Sequence, residues 1–200
     1  NPNAKPLDQL LVGTWTFAQE ANSVAAGVFL GDSSVWANSE SDLPNMDCMF
    51  DDRLIFKEDG THQFLINGLT WGPWFQLGYQ SISDVISISC DNEKAHILDL
   101  VDRNGTWAVG DMIGGLEELT TLSFIGESYF LVSIDDTRAS FYVFNGEIYW
   151  RVYLDKLQDQ DFDGVEDNID NCPETHNTDQ KNDDNDPQGN ACDLDDDNDG

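Results

Sequence analysis

The final 42 residues run DQDFDGVEDNIDNCPETHNTDQKNDDNDPQGNACDLDDDNDG, from Asp159 to Gly200. Sixteen of the chain's 39 acidic residues and only one of its nine basic residues, Lys181, fall here, so one-fifth of the chain carries −15 of the total −30. Its sizeable apolar side chains are Phe162, Val165, Ile169 and Leu194. Ordering a residue costs about 1–2 kcal/mol, so apolar burial cannot hold this segment, and a stretch of this composition is ordinarily disordered. Yet the carboxylates keep a two-residue phase around two spaced cysteines, Cys172 and Cys192. Bound cations would supply the missing free energy.

Residues 159–170 fit a twelve-residue calcium loop. Side-chain oxygens come from Asp159, Asp161 and Asp163, a turn from Gly164, a carbonyl from Val165, a direct or water-bridged ligand from Asp167, and closure from Asp170. A hard cation wanting six to eight oxygens requires this alternation. No amphipathic helix leads in and Pro173 follows closely, which excludes a helix-loop-helix. The frame returns at Asn182, Asp184, Asp186, Gln188 (carbonyl), Asn190 and Asp193, and starts again at Asp195, Asp197 and Asp199. Together with DNCP, Asn177-x-x-Gln180 and Ala191-Cys192-Asp193, this pattern resembles the thrombospondin type 3 repeat. The resemblance implies repeats wrapped around Ca2+ with almost no hydrophobic core, pinned by disulfides, with the ligand roles on the positions just named. Asn182 stands where Asp is usual and Pro187 where Gly is usual, so the second site is expected to be weaker. The third frame stops at Gly200, as if the chain were cut inside a repeat and continued into further domains.

Residues 1–158 carry the other −15. So acidic a body repels phosphate backbones and anionic membrane surfaces. No apolar run reaches 18 residues, so no spanning helix is expected, and the opening NPNAKP suggests a mature or excised fragment. Cys48, Cys90, Cys172 and Cys192 include no C-x-x-C pair, which favours disulfides over zinc and an oxidising compartment. Of the three possible pairings, the composition break near residue 158 favours Cys48–Cys90 and Cys172–Cys192.

Apolar periodicity in this body is mostly two. EIYWRVYL puts Ile148, Trp150, Val152 and Leu154 on one face, and RLIFK and THQFLI form a hairpin across Glu58-Asp59-Gly60. LEELTTLSF and SYFLVSI form another pair. Asn104-Gly105 and Asn145-Gly146 read as type I′ turns. An antiparallel barrel or sandwich is expected. Gly13-Thr14-Trp15 entering the first strand, with Arg151 on the last, resembles the lipocalin or calycin arrangement, which implies that Arg151 packs on Trp15. The motif order GTW, GD-S-x-W, CMFDD, F-x-x-D-G-T and TW-x-x-W also resembles modules beside glycan-degrading enzymes in secreted proteins of marine bacteria.

Trp15, Trp107 and Trp150 sit in apolar, strand-like surroundings and read as core. Trp36, Trp71 and Trp74 lie in loop-rich segments, where an indole face could either stack on a sugar ring or plug one end of the fold. Glu20, Glu117 and Glu118 form no recognisable catalytic pair, and His62, His96 and His176 are isolated in sequence. The resulting expectation is an all-β chain: a lipocalin-like antiparallel β-barrel over 1–158, then calcium-stabilised thrombospondin type 3 repeats over 159–200. Its function reads as a secreted or cell-surface, non-catalytic calcium-binding module that binds an oligosaccharide or polysaccharide, or assists a protein acting on one, with the repeats as a spacer. The alternatives are a polysaccharide-degrading enzyme domain and a structural or adhesive unit.

Overall fold

A computed structural model describes residues 5–65, 70–71, 97–98, 103–111, 120–124, 127–144 and 148–197. The chain divides into two compact units, Asn1–Lys156 and Leu157–Gly200.

In the first unit a short helix, α1 (Leu7–Leu11), leads into strands β1 (Gly13–Phe17), β2 (Val24–Gly27) and β3 (Trp36–Ala37). A 3-10 turn (Leu43–Asn45) and helix α2 (Asp47–Phe50) precede β4 (Arg53–Phe56), β5 (Thr61–Leu65), β6 (Thr70–Trp71) and β7 (Ile97–Leu98). The chain continues through β8 (Arg103–Thr106), β9 (Ala108–Asp111), β10 (Thr120–Phe124), β11 (Glu127–Ile134), β12 (Arg138–Phe144) and β13 (Tyr149–Lys156). Among the described residues, eleven strands form one sheet in the order β8-β5-β4-β1-β13-β12-β11-β10-β9, with β2 also on β13 and β3 on β2. All pairings among the described residues are antiparallel, and β6 and β7 pair separately.

Strand alternation explains the core. Along β13 and the residue before it, Ile148, Trp150, Val152 and Leu154 are buried while Tyr149, Arg151 and Tyr153 are only partly covered. Trp15, Phe17, Leu54, Phe56, Phe64 and Phe141 from neighbouring strands complete the inner layer. The two hairpins read from the sequence form: β4 pairs with β5, and β10 with β11.

Three expectations are corrected. Among the described residues the sheet is not closed into a barrel, so neither the lipocalin-like barrel nor the fold class built on it holds. Its end strands, β8 and β9, are successive stretches of one chain separated by Trp107, and segments lying head to tail cannot form a ladder with each other. Next, Asn104-Gly105 is not a turn but lies inside β8, opposite Gln63 and His62 of β5. A Cβ on Gly105 would stand 2.7 Å from the His62 ring, so glycine is there to make room for a cross-strand imidazole. Finally, Arg151 does not reach Trp15; its guanidinium lies 4.6 Å from the centre of the Tyr153 ring and donates to the Asn22 carbonyl. The cation over Trp15 is Lys156, 5.0 Å from the ring centre, which also donates to the Leu10 carbonyl (2.8 Å) and fills the space beside Gly13. Lys156 shares the inward parity of Trp150, Val152 and Leu154 and directly opposes Trp15, whereas Arg151 has the outward parity. The Asn145-Gly146 turn lies outside the described residues.

Candidate metal centre

The interior of the second unit contains almost no hydrocarbon. Ile169 is 73% exposed and Leu194 wholly so, while the buried side chains are Asp159, Asp163, Cys172 and Asn177. Asp163 is 0% exposed. A buried carboxylate without a counter-charge is strongly unfavourable, so the arrangement of neighbouring donors decides what this unit can hold.

Loop one, residues 159–170, folds around its own carboxylates. The Asp163 amide donates to Asp159 Oδ1 (3.3 Å) and Asp161 Oδ1 (3.2 Å), the Gly164 amide to Asp159 Oδ2 (3.0 Å), and the Val165 amide to Asp163 Oδ1 (2.7 Å). Gly164 sits at φ 92°, a backbone state that glycine adopts freely. Asp167 closes the neck by accepting from the Gln160 amide (2.8 Å), while its own amide donates to the Gln158 carbonyl (2.8 Å). Asp170 Oδ1 accepts from the Cys172 amide and the Gln180 side chain, each at 2.7 Å. Two oxygens remain buried with no hydrogen-bond partner: Asp161 Oδ2 and Asp170 Oδ2. Burial pushes the Asp161 carboxyl up to about 6, and the charges of Asp163, Asp170 and Asp159 add to the shift. Four carboxylates therefore converge on a single region of loop one.

Loop two repeats this frame 23 positions on. The amide of Asp183 meets Asn190 Oδ1 as that of Gln160 meets Asp167; Asp186 meets Asp184 as Asp163 meets Asp161; Gln188 meets Asp186 as Val165 meets Asp163. Asp195 meets Asp193 as Cys172 meets Asp170. Even the left-handed residues match, Phe162 at φ 59° and Asn185 at φ 62°. The loops differ at their first ligand position. Asn182 donates its amide to the Asp186 carbonyl (2.7 Å) and accepts from the Asn185 amide (2.6 Å), and Pro187, at the place of Gly164, has no N–H to donate.

Among the described residues, two clusters bring ligand atoms within 4.8 Å of one another: Asp161, Asp163 and His176, and separately Asp184, Asp186 and Asp193. His176, isolated in sequence, is brought to loop one by the fold; the signal missed was its place beside Asn177, whose amide donates to Asp163 Oδ2 (3.0 Å). Asp195 and Asp197 are exposed, and Asp199 lies outside the described residues. The Cys172–Cys192 disulfide is present, with a Cα–Cα distance of 5.7 Å. Cys48 is also disulfide-bonded, and its expected partner, Cys90, lies outside the described residues.

The aromatic sites fare differently. Trp36 is half-buried with its ring 6.1 Å from that of Trp150, packed on the core. Trp71 belongs to β6, and Trp74 lies outside the described residues. A carbohydrate-binding platform of Trp36, Trp71 and Trp74 is therefore not supported. Trp107, expected in the core, is only partly buried; its Nε1 donates to the Lys57 carbonyl (3.1 Å) and its ring meets Phe56 edge-on at 5.8 Å. Glu20 pairs with Arg138 (2.7 Å), whose guanidinium also holds Asp155 (2.6 Å). Glu117, Glu118 and His96 lie outside the described residues.

No protein-family model matches the chain, and no curated protein is significantly similar to it. The resemblances to thrombospondin type 3 repeats, to lipocalins and to glycan-degradation modules therefore have no support from related proteins, and geometry alone carries the metal site. No helix among the described residues is long and apolar enough to cross a membrane.

Proposed function

We propose that the chain is a non-catalytic, calcium-binding module of an extracellular protein, in which calcium holds the 157–200 unit together. The observation that carries this reading is the interior of loop one: Asp159 and Asp163 buried, Asp161 and Asp170 each with a buried oxygen lacking any partner, and no apolar core beside them. A hard divalent ion satisfies such oxygens and removes the repulsion among four carboxylates, as no neutral donor can. The disulfides support an oxidising, extracellular setting.

Calorimetric titration of the metal-free chain with calcium tests the proposal. The expected result is saturable binding in which Asp161→Asn removes the tightest step. Calcium binding that is absent, or unchanged in Asp161→Asn, would refute it.

A further inference from the structure

Loop one holds a nitrogen donor in a cluster whose loop-two counterpart consists of carboxylates alone. One ring nitrogen of His176 lies within 4.8 Å of a carboxylate oxygen of Asp161 and of Asp163, whereas Asp184, Asp186 and Asp193 form the other cluster. The segment bearing His176 is fastened to loop one on its C-terminal side: the Asn177 amide donates to Asp163 Oδ2 (3.0 Å) and the Thr178 hydroxyl to the Asp163 carbonyl (2.9 Å). On its N-terminal side the Thr175 amide donates to the Cys172 carbonyl (2.8 Å), next to the disulfide. His176 itself is exposed, so its ring can turn to meet an ion entering from solvent. The ion would also meet Asp161, whose Oδ2 is buried and unpartnered.

Calcium and magnesium take oxygen ligands, whereas imidazole suits zinc and its first-row neighbours. Two carboxylates and an imidazole are a three-ligand set that leaves a position for water, as mononuclear zinc sites often do. We propose that loop one is also a site for a borderline divalent transition metal, zinc or a close relative, held by Asp161, Asp163 and His176 in competition with calcium. The proposal rests on the reading of loop one as a cation site and adds the second class of ion that it takes. Loop two, with its all-oxygen cluster, serves as the control within the same chain.

The test titrates the metal-free chain with zinc alone, with calcium alone, and with zinc after calcium, for wild type, His176→Gln and Asp161→Asn. Far-ultraviolet dichroism and the hydrodynamic radius, read at saturating metal, check that the 157–200 unit of each variant folds. Zinc is expected to displace calcium from loop one. His176→Gln should weaken zinc at least about tenfold, the range seen even for supporting residues of metal sites, and leave calcium affinity unchanged; Asp161→Asn should weaken both. Cobalt in place of zinc should give a visible absorption band that His176→Gln abolishes. Equal zinc affinity in wild type and His176→Gln overturns the proposal, as does zinc binding that leaves calcium in place. Calcium binding with no zinc binding overturns it while sparing the calcium reading. Zinc binding lost in His176→Gln, with no calcium bound, sustains the transition-metal site but overturns the competition and removes the calcium reading.

Discussion

His62 and Gly105 show how one residue determines its neighbour across a strand pair. The imidazole is 2% exposed and lies against the Gly105 backbone, so it cannot retreat from an added methyl group. Gly105→Ala should cost about 1–3 kcal/mol, the range for overpacking a filled interior, measured by urea denaturation. Burial also holds the His62 pKa below 6.5, because the charged ring is poorly solvated there. The unfolded chain then binds more protons than the folded one in the window between the two values. The contribution of His62 is therefore fully present above pH 6.5 and lost as pH falls through the folded value. His62→Gln should flatten this part of the stability–pH curve; an unchanged slope would assign the acid sensitivity to other groups.

At the scale of elements, the two acidic loops share a hydrogen-bond frame but differ in their first ligand. Asp159 brings a buried carboxylate, whereas Asn182 brings a neutral amide already engaged with Asp186 and Asn185. Calcium should therefore fill loop one first, with a second step roughly tenfold or more weaker, since affinity follows ligand charge and site rigidity. Asp184→Asn should remove only the weaker step of the isotherm. This difference was legible in the sequence, as was the two-residue phase of the carboxylates, because loop ligands are set by local spacing. The inward face of β13 was legible for the same reason. The open sheet was not, since its two ends are defined by which distant strands pair with β8 and β9. Asn104-Gly105 misled because a glycine beside an asparagine marks a turn only when nothing across the strand fills the vacant Cβ position. The lipocalin resemblance puts Arg151 on Trp15, whereas the alternation of its own strand places it on the outer face.

Across the whole molecule, the two units are held by different forces. The first buries tryptophans and phenylalanines between strands, while the second buries carboxylates and a disulfide. Closing a loop with a sequence separation of 20 residues contributes about 3 kcal/mol, far below the cost of ordering that many residues. Chelation should therefore unfold the 157–200 unit alone. The hydrodynamic radius should rise while the tryptophan emission maximum stays fixed, because all six tryptophans precede residue 157. A shift in that maximum on chelation would mean that calcium also supports the sheet.

The pairing of β1 with β13 also bears on how the first unit responds to tension. The chain enters β1 at Gly13 and leaves β13 at Lys156, and because Trp15 opposes Lys156 these two points lie at the same end of the ladder. A pull between residues 5 and 157 would peel the ladder open one bond at a time instead of shearing its bonds together. Lys156 stands at the fork where peeling begins, clasping the Leu10 carbonyl and covering Trp15. In single-molecule stretching with handles at those positions, Lys156→Ala should lower the force at which the sheet starts to open, making this lysine a mechanical latch.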